Sequence, residues 1–375
     1  MAEGAFGLST GLQYVPGTYS ETPEIIELAK AAAAGGGLYV SHMRNEGSEI
    51  EKAVGEALAI GEAAHCPVHI SHIKIDSPNR WGASETILSM MDQARKKGMK
   101  VGGDQYAYTA ASSGLSIRFP AWALEGGREK TAERLKDPAT WEKVKAGVKE
   151  LLAERGLKDL SFAVVSSYRS DPTLNGMSIK QIAVKFNDAA TPETQIQMAR
   201  EMMLNGGASM VYQFMSEDDI ARIMKDPNVS VGCDAGVLRA GDNMPHPRGY
   251  GNNARVLGRY VRELKVIPLQ EAIRKMTSLP AEQFRIADRG LVKEGYAADL
   301  VVFDPAKVAD KATYEQPRQF PVGFSHVVVN GVAVMRDGEL TGAKPGQLLA
   351  KRQAQKTTPA PVGVGVQVVP GGTSR

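Results

Sequence analysis

Leu38-Tyr39-Val40-Ser41-His42 and, thirty residues on, Val68-His69-Ile70-Ser71-His72 decide how this chain is read. Each is a short, mainly apolar run closed by serine and histidine, the pattern of a buried strand that delivers a polar side chain at its C-terminal end. Between them, residues 49–64 repeat apolar residues at helical spacing. Outward from this pair the rhythm continues. A glycine-rich strand is expected at 4–12 and an acid-capped helix at 22–34, with strands at 38–42, 67–72 and 100–106 and helices at 49–64 and 84–97. Strands alternating with helices of this length predict a parallel sheet wrapped by helices, the α/β class.

From about Ser112 the pattern changes to Lys- and Glu-rich helices around one apolar strand at 160–165. Strands resume at 209–213 and 229–234 with a short helix at 217–225, and a longer helix is expected from about Asn253. Residues 298–304 and 326–335 alternate around Asn330-Gly331, a hairpin signal. The expected division is a first barrel part at 1–111, an insertion or lid over the active site at 112–207, the last barrel part at 208–290, a small C-terminal β-domain at 291–350 and a flexible tail at 351–375.

The bulk numbers narrow the partners. With 45 basic and 42 acidic residues and a net charge of +3, no block supplies the electrostatic footprint of a nucleic-acid binder. Two cysteines, Cys66 and Cys233, make no disulfide framework and no Cys-x-x-Cys site. No apolar run reaches the roughly 18 residues that span a bilayer, and residues 1–20 lack the features of a secretory signal. The expectation is a cytoplasmic protein as the chain is written, acting on a small molecule.

His42 and His72, one β/α unit apart, fall on adjacent strands at the face where parallel strands present functional groups, within reach of one ion. Neutral imidazole is a common zinc ligand; the alternative for each is a hydrogen-bonded polar residue at a strand end. His69 is expected to face away from the interior. Asp234 closes the run Val229-Ser230-Val231-Gly232-Cys233-Asp234, placing a carboxylate where it can take a proton from an activated water and pass it to a departing amine. The alternative is a turn or capping aspartate.

These features occur with Gly4 to Leu12, Tyr39 to Gly47, His69-Ile70-Ser71-His72-Ile73-Lys74, Asp104-Gln105-Tyr106-Ala107-Tyr108-Thr109 and Pro245-His246-Pro247-Arg248. In this set the chain resembles the N-acyl-D-amino-acid deacylases, or D-aminoacylases, of the amidohydrolase superfamily, from Gly4 to about Lys351. The resemblance implies a TIM-like (β/α) barrel and a zinc-dependent hydrolase that cleaves the linear amide of N-acyl-D-amino acids. It implies His42 and His72 as zinc ligands, Asp234 as general acid/base, and Lys74, Tyr106 and Arg248 as the holders of the substrate α-carboxylate. Tyr108, on the same face as Tyr106, is the alternative phenol. An ammonium, a phenol and a guanidinium fork converging on one carboxylate give orientation as well as charge pairing. Arg118, near the start of the insertion, is a candidate reader of an acidic substrate side chain.

The chain departs from the family at its start. Members open with a β-segment, a His-x-His strand and a cysteine or acidic metal ligand, and none of these precedes Gly4 here. The expectation is therefore a barrel missing its first strands, with weak metal binding and impaired deacylase activity. The alternatives are a dipeptidase-like amidohydrolase or an inactive remnant that binds carboxylate-bearing small molecules. The expected partner is an N-acyl-D-amino acid, with homo-oligomerisation left open and export of a longer form not excluded.

Overall fold

A computed structural model describes residues 1–237, 241 and 243–351. Its strands are β1 (Gly7–Gly11), β2 (Leu38–His42), β3 (Val68–Ile70), β4 (Val101–Gln105), β5 (Ala110–Gly114), β6 (Ala163–Ser167), β7 (Ser209–Gln213), β8 (Val229–Val231), β9 (Leu300–Phe303), β10 (Phe324–Val329), β11 (Val332–Arg336) and β12 (Glu339–Leu340). Five of them form a parallel sheet in the order β1-β2-β3-β4-β8.

The helices between these strands cover the sheet because their apolar residues fall on one face. Thr22–Ala34 buries Ile25 and Ala29, Ile50–Ala64 buries Ala53, Val54, Ala57 and Ile60, and Ser84–Lys96 buries Ile87, Met91 and Ala94. These i, i+3, i+4 spacings form a stripe. The stripes pack with Tyr39, Val68, Ile70 and Val101 of the strands into one core. Burial of this kind stabilises by roughly 25 cal/mol per Å² of apolar surface.

The segment after β4 is a separate layer. β5, β7 and β6 form a three-stranded antiparallel sheet in that order. The strand at 209–213, expected to resume the barrel, therefore belongs to the inserted layer; its partners β5 and β6 flank it on both sides. Helices Pro138–Glu154, Ile179–Asn187 and Pro192–Leu204 pack on this layer, contributing Trp141, Val144, Val148, Ile182 and Ile196 to a second core. Their starts are set locally: Asp137 accepts from Thr140 N ahead of Pro138, Ser178 and Gln181 form a reciprocal capping box, and Thr191 accepts from Thr194 N.

Two strands end earlier than expected. β3 stops at Ile70 and β8 at Val231, so His72 (φ 36°) and Asp234 (φ 50°) stand in left-handed conformations in the loops beyond. Strand parity therefore does not fix where these side chains, or Lys74, point. The helix expected from Asn253 begins at Arg248 and continues as a π-helical stretch from Val256 to Glu263. At the other end, β9–β12 make a four-stranded antiparallel sheet, with Asn330 (φ 49°) and Gly331 (φ 80°) supplying the two left-handed residues of the tight turn between β10 and β11. Among the described residues no helix is long and apolar enough to cross a membrane. The tail from 352 lies outside the described residues.

Candidate active site

The C-terminal ends of β2, β3, β4 and β8 converge on a cavity of about 220 Å³. Its lining includes His42, Glu46, His72, Lys74, Tyr106 and Asp234. Arg118 and Asp76 also line it, while Arg248 and Tyr108 do not.

The two histidines meet at the centre. His42 Nδ1 lies 2.8 Å from His72 Nε2. Their remote nitrogens have partners: His42 Nε2 lies 2.8 Å from Gln13 Oε1, and His72 Nδ1 lies 3.1 Å from Glu46 Oε1. Gln13 Oε1 can only accept, so His42 carries its proton on Nε2 and turns the Nδ1 lone pair toward His72. A carboxylate or amide oxygen behind each imidazole is the arrangement that fixes metal-ligating histidines. Burial pulls His42 down to about 4, with Glu46 acting against the shift, so the ring is neutral at neutral pH.

Glu46 is the residue that sequence reasoning missed. Its Oε1 accepts from Lys74 Nζ at 2.5 Å, and Lys74 Nζ also stands 2.7 Å from His72 Nδ1. Burial alone would raise the Glu46 pKa, but the Lys74 ammonium above all, with the hydrogen bond to His72, outweighs it and holds the carboxyl well below the usual range. Donor atoms of His42, Glu46 and His72 lie within 4.8 Å of one another, a set of two imidazoles and one carboxylate. That chemistry suits zinc. The 2.8 Å between the facing nitrogens is short of the separation of about 3.3 Å that two zinc-bound nitrogens take at bond lengths near 2.05 Å, so the rings part slightly to admit an ion. Glu46 stands four residues after His42 inside the conspicuous 39–47 segment; a carboxylate that close to a strand-end histidine was the available signal.

Behind this centre, His69 is buried and its Nε2 lies 2.7 Å from Asp104 Oδ2, while Asp104 Oδ1 accepts from the His72 backbone N at 2.9 Å. Asp104 thus ties β3 to β4 at the point where the chain turns to present His72. A Cβ at Gly232 would come within 2.5 Å of Asp104 Oδ1, so glycine is what leaves Asp104 its place. Burial works against ionisation of Asp104, but its bond to His69 and the charge there keep the pKa below the usual value.

Asp234 pairs with Arg248 Nη2 at 2.8 Å. Arg248 is buried and its guanidinium lies 4.4 Å from the centroid of the Tyr106 ring, yet Nε and Nη1 have no protein partner. A buried donor left unmade costs about 1–3 kcal/mol. The backbone N of Arg248 donates to His246 Nδ1, and His246 Nε2 reaches Ala110 O, with burial pushing this imidazole down to about 3. Tyr106 is buried at the cavity, whereas Tyr108 bonds to Asp310 at 2.6 Å, away from it. Arg118 is stacked over Tyr212 at 4.3 Å and shares Asp76 with Arg155, at 3.9 and 3.7 Å. Its Nε also lacks a partner. Cys233 contacts the Arg248 carbonyl and is not part of the His42, Glu46 and His72 donor set.

The amidohydrolase family model matches residues 3–335. The chain is 36% identical over 350 residues to an N-acyl-D-glutamate deacylase of Alcaligenes xylosoxydans xylosoxydans, covering 93% of this chain and 61% of that protein. It is 34% identical over 357 residues to a D-aminoacylase of the same organism, covering 94% and 63%. A solved structure of N-acyl-D-glutamate deacylase from Bordetella bronchiseptica, complexed with zinc and a phosphonate inhibitor, superposes with a TM-score of 0.72 at 34% identity, covering 92% of this chain and 63% of that one. The chain spans a little over three fifths of the length of these relatives. With a family match over most of its length and a buried two-histidine, one-carboxylate centre at its parallel strand ends, the chain belongs to the amidohydrolase family.

Proposed function

We propose that this chain carries the site of a zinc-dependent hydrolase that cleaves the linear amide of N-acyl-D-amino acids to a carboxylate and a free D-amino acid. The observation that carries it is the single cavity into which the His42–His72 pair, Asp234 and the cationic groups Lys74 and Arg118 all open. The N-acyl-D-glutamate deacylase and D-aminoacylase to which the chain is similar supply the substrate class.

His42 Nδ1 and His72 Nε2 would hold the ion, with Glu46 beside them. When bound, zinc supplies Lewis acidity to the amide carbonyl. Asp234 accepts the proton of the attacking water and delivers it to the leaving nitrogen, a role worth about 10²–10⁴ in rate. Arg248 holds Asp234 in place. Lys74 and Tyr106, which line the cavity, receive the substrate α-carboxylate, while Arg248 stands behind Asp234. Arg118, with one unpartnered donor, reads an acidic side chain on the substrate.

In the same proposal the parallel sheet, which ends at β1 and β8, is an arc of a (β/α) barrel wall, and the antiparallel layer of β5–β7 covers its mouth. The 291–350 segment is a separate small β-domain. Metal binding by this chain is weak, because Glu46 is already engaged by Lys74 and among the described residues no other carboxylate or thiol joins the two histidines. That same observation favours a second reading, a carboxylate-binding protein without turnover.

Incubation of the 375-residue chain with zinc and paired N-acetyl-D- and N-acetyl-L-amino acids separates the two. The enzyme reading expects slow release of the D-amino acid only. Equal release from both enantiomers, or no release by protein shown to hold zinc, overturns it.

A further inference from the structure

A second cavity, of about 850 Å³, adjoins the catalytic one, and Gln13, Tyr14 and Ile117 line both. Its size is that of a site for a whole small molecule, so it accepts far more than an acetyl group. One part of its wall is apolar, from Leu115, Phe119, Leu124 and Met203. Two arginines, Arg128 and Arg169, also line it, and none of the described lining residues carries a carboxylate. Arg128 lies against Gly206, its Nη2 3.3 Å from where a Cβ would stand. Among the described residues neither arginine is engaged in an ion pair. Two exposed cations in a lining that also has apolar residues and holds no counter-charge give the cavity a net positive potential.

We propose that this cavity is the acyl subsite and that it selects acyl chains with an apolar stem and a terminal carboxylate. The substrate class is then an N-(ω-carboxyacyl)-D-amino acid, such as a monoamide of a medium-length dicarboxylic acid. The proposal rests on the deacylase reading for the orientation of the substrate: with the α-carboxylate at Lys74 and the scissile carbonyl at the histidine pair, the acyl chain leaves past Tyr14 and Ile117. The stem packs on Leu115 and Phe119, and the terminal carboxylate meets the Arg128 and Arg169 guanidiniums, which suit planar bidentate recognition.

The test is a comparison of N-adipoyl-D-glutamate with N-hexanoyl-D-glutamate, which have the same chain length and differ by a terminal carboxylate in place of a methyl. Binding is measured by calorimetry on zinc-loaded Asp234→Asn protein, in which turnover is arrested. The adipoyl ligand is expected to bind about tenfold tighter at low salt, the effect of a charge-assisted hydrogen bond, and the ratio to shrink as salt is raised. Adding Arg128→Gln and Arg169→Gln together brings the ratio to about one, with retained hexanoyl binding showing that the variant is folded; the single Arg169→Gln falls between. A ratio of one or below in the parent protein, or a ratio unmoved by the arginine substitutions, overturns the proposal. Hydrolysis of N-acetyl-D-glutamate by the unmutated zinc-loaded chain, which does not reach this cavity, reports separately on the deacylase reading.

Discussion

Glu46→Gln is the substitution whose consequences follow most directly from the site. Glu46 and Lys74 pair at 2.5 Å with side chains 3% and 6% exposed, so neither group has water to fall back on. Replacing the carboxylate by an amide leaves a neutral oxygen acceptor beside the His72 carbonyl at 3.1 Å, but removes the negative charge from a Lys74 ammonium buried against His72 Nδ1 at 2.7 Å. Breaking a buried pair from one side costs about 3–5 kcal/mol. With an unfolding entropy near 2.1 cal/mol/K per residue, a chain of 375 residues shifts its Tm by roughly 5 °C for a 4 kcal/mol loss. Lys74→Met alone instead leaves an uncompensated carboxylate, and the double variant Glu46→Gln/Lys74→Met removes both charges. Thermal and urea unfolding of the four proteins closes the cycle. The double variant is expected to lose less than the sum of the singles by about 2 kcal/mol or more. Loss of under 1 kcal/mol in Glu46→Gln, or strict additivity, would refute the description of Glu46 as the counter-charge that lets Lys74 sit in the cavity. Zinc affinity in Glu46→Gln is expected to fall about 10–100-fold, the usual effect of removing a group that orients a ligand.

His246 titrates in the fold near 3, below its ordinary value, so between about pH 3 and 6.5 the unfolded chain binds more protons and stability falls as pH drops through that window. From pH 7 to 5 this group accounts for about 2 kcal/mol, and His246→Gln is expected to flatten that part of the stability profile; an unchanged slope would contradict it. Gly232→Ala drives a Cβ to within 2.5 Å of Asp104 Oδ1 and is expected to cost about 1–3 kcal/mol, read by urea unfolding, with wild-type stability as the contrary result. Arg118→Ala is expected to lower kcat/KM for acidic N-acyl-D-amino acids relative to apolar ones; an unchanged preference would remove Arg118 from substrate reading.

Much of the scaffold was legible because periodicity reports burial directly. The helices at 22–34 and 217–225 and the strands at 38–42 and 209–213 have the bounds that their patterns suggest. What periodicity does not carry is the partner of a strand: Ser209–Gln213 looks the same whether it joins a parallel wall or an antiparallel sheet, and the structure puts it in the latter. β5, Ala-Ala-Ser-Ser-Gly, has none of the β-branched or aromatic residues that mark a strand and exists through pairing with β7. The helix from Arg248 begins with Arg-Gly-Tyr-Gly, whose two glycines are poor helix formers, and its first backbone N–H is met by His246, a contact that propensity cannot see. In the site, His42, His72, Lys74, Tyr106, Arg118 and Asp234 do line one cavity, but Glu46, Gln13, Asp76 and Asp104 owe their positions to loops and tertiary contacts. Arg248 sits behind Asp234 rather than on the cavity surface, because the carboxylate expected to work as a free proton carrier is also its ion-pair partner.

The central claim is that His42 and His72 form one zinc site, and a calorimetric zinc titration of the full chain measures it most directly. One zinc per chain, lost in both His42→Ala and His72→Ala and kept in Asp234→Asn, is the predicted result. A stoichiometry and affinity unchanged by either histidine substitution would contradict it.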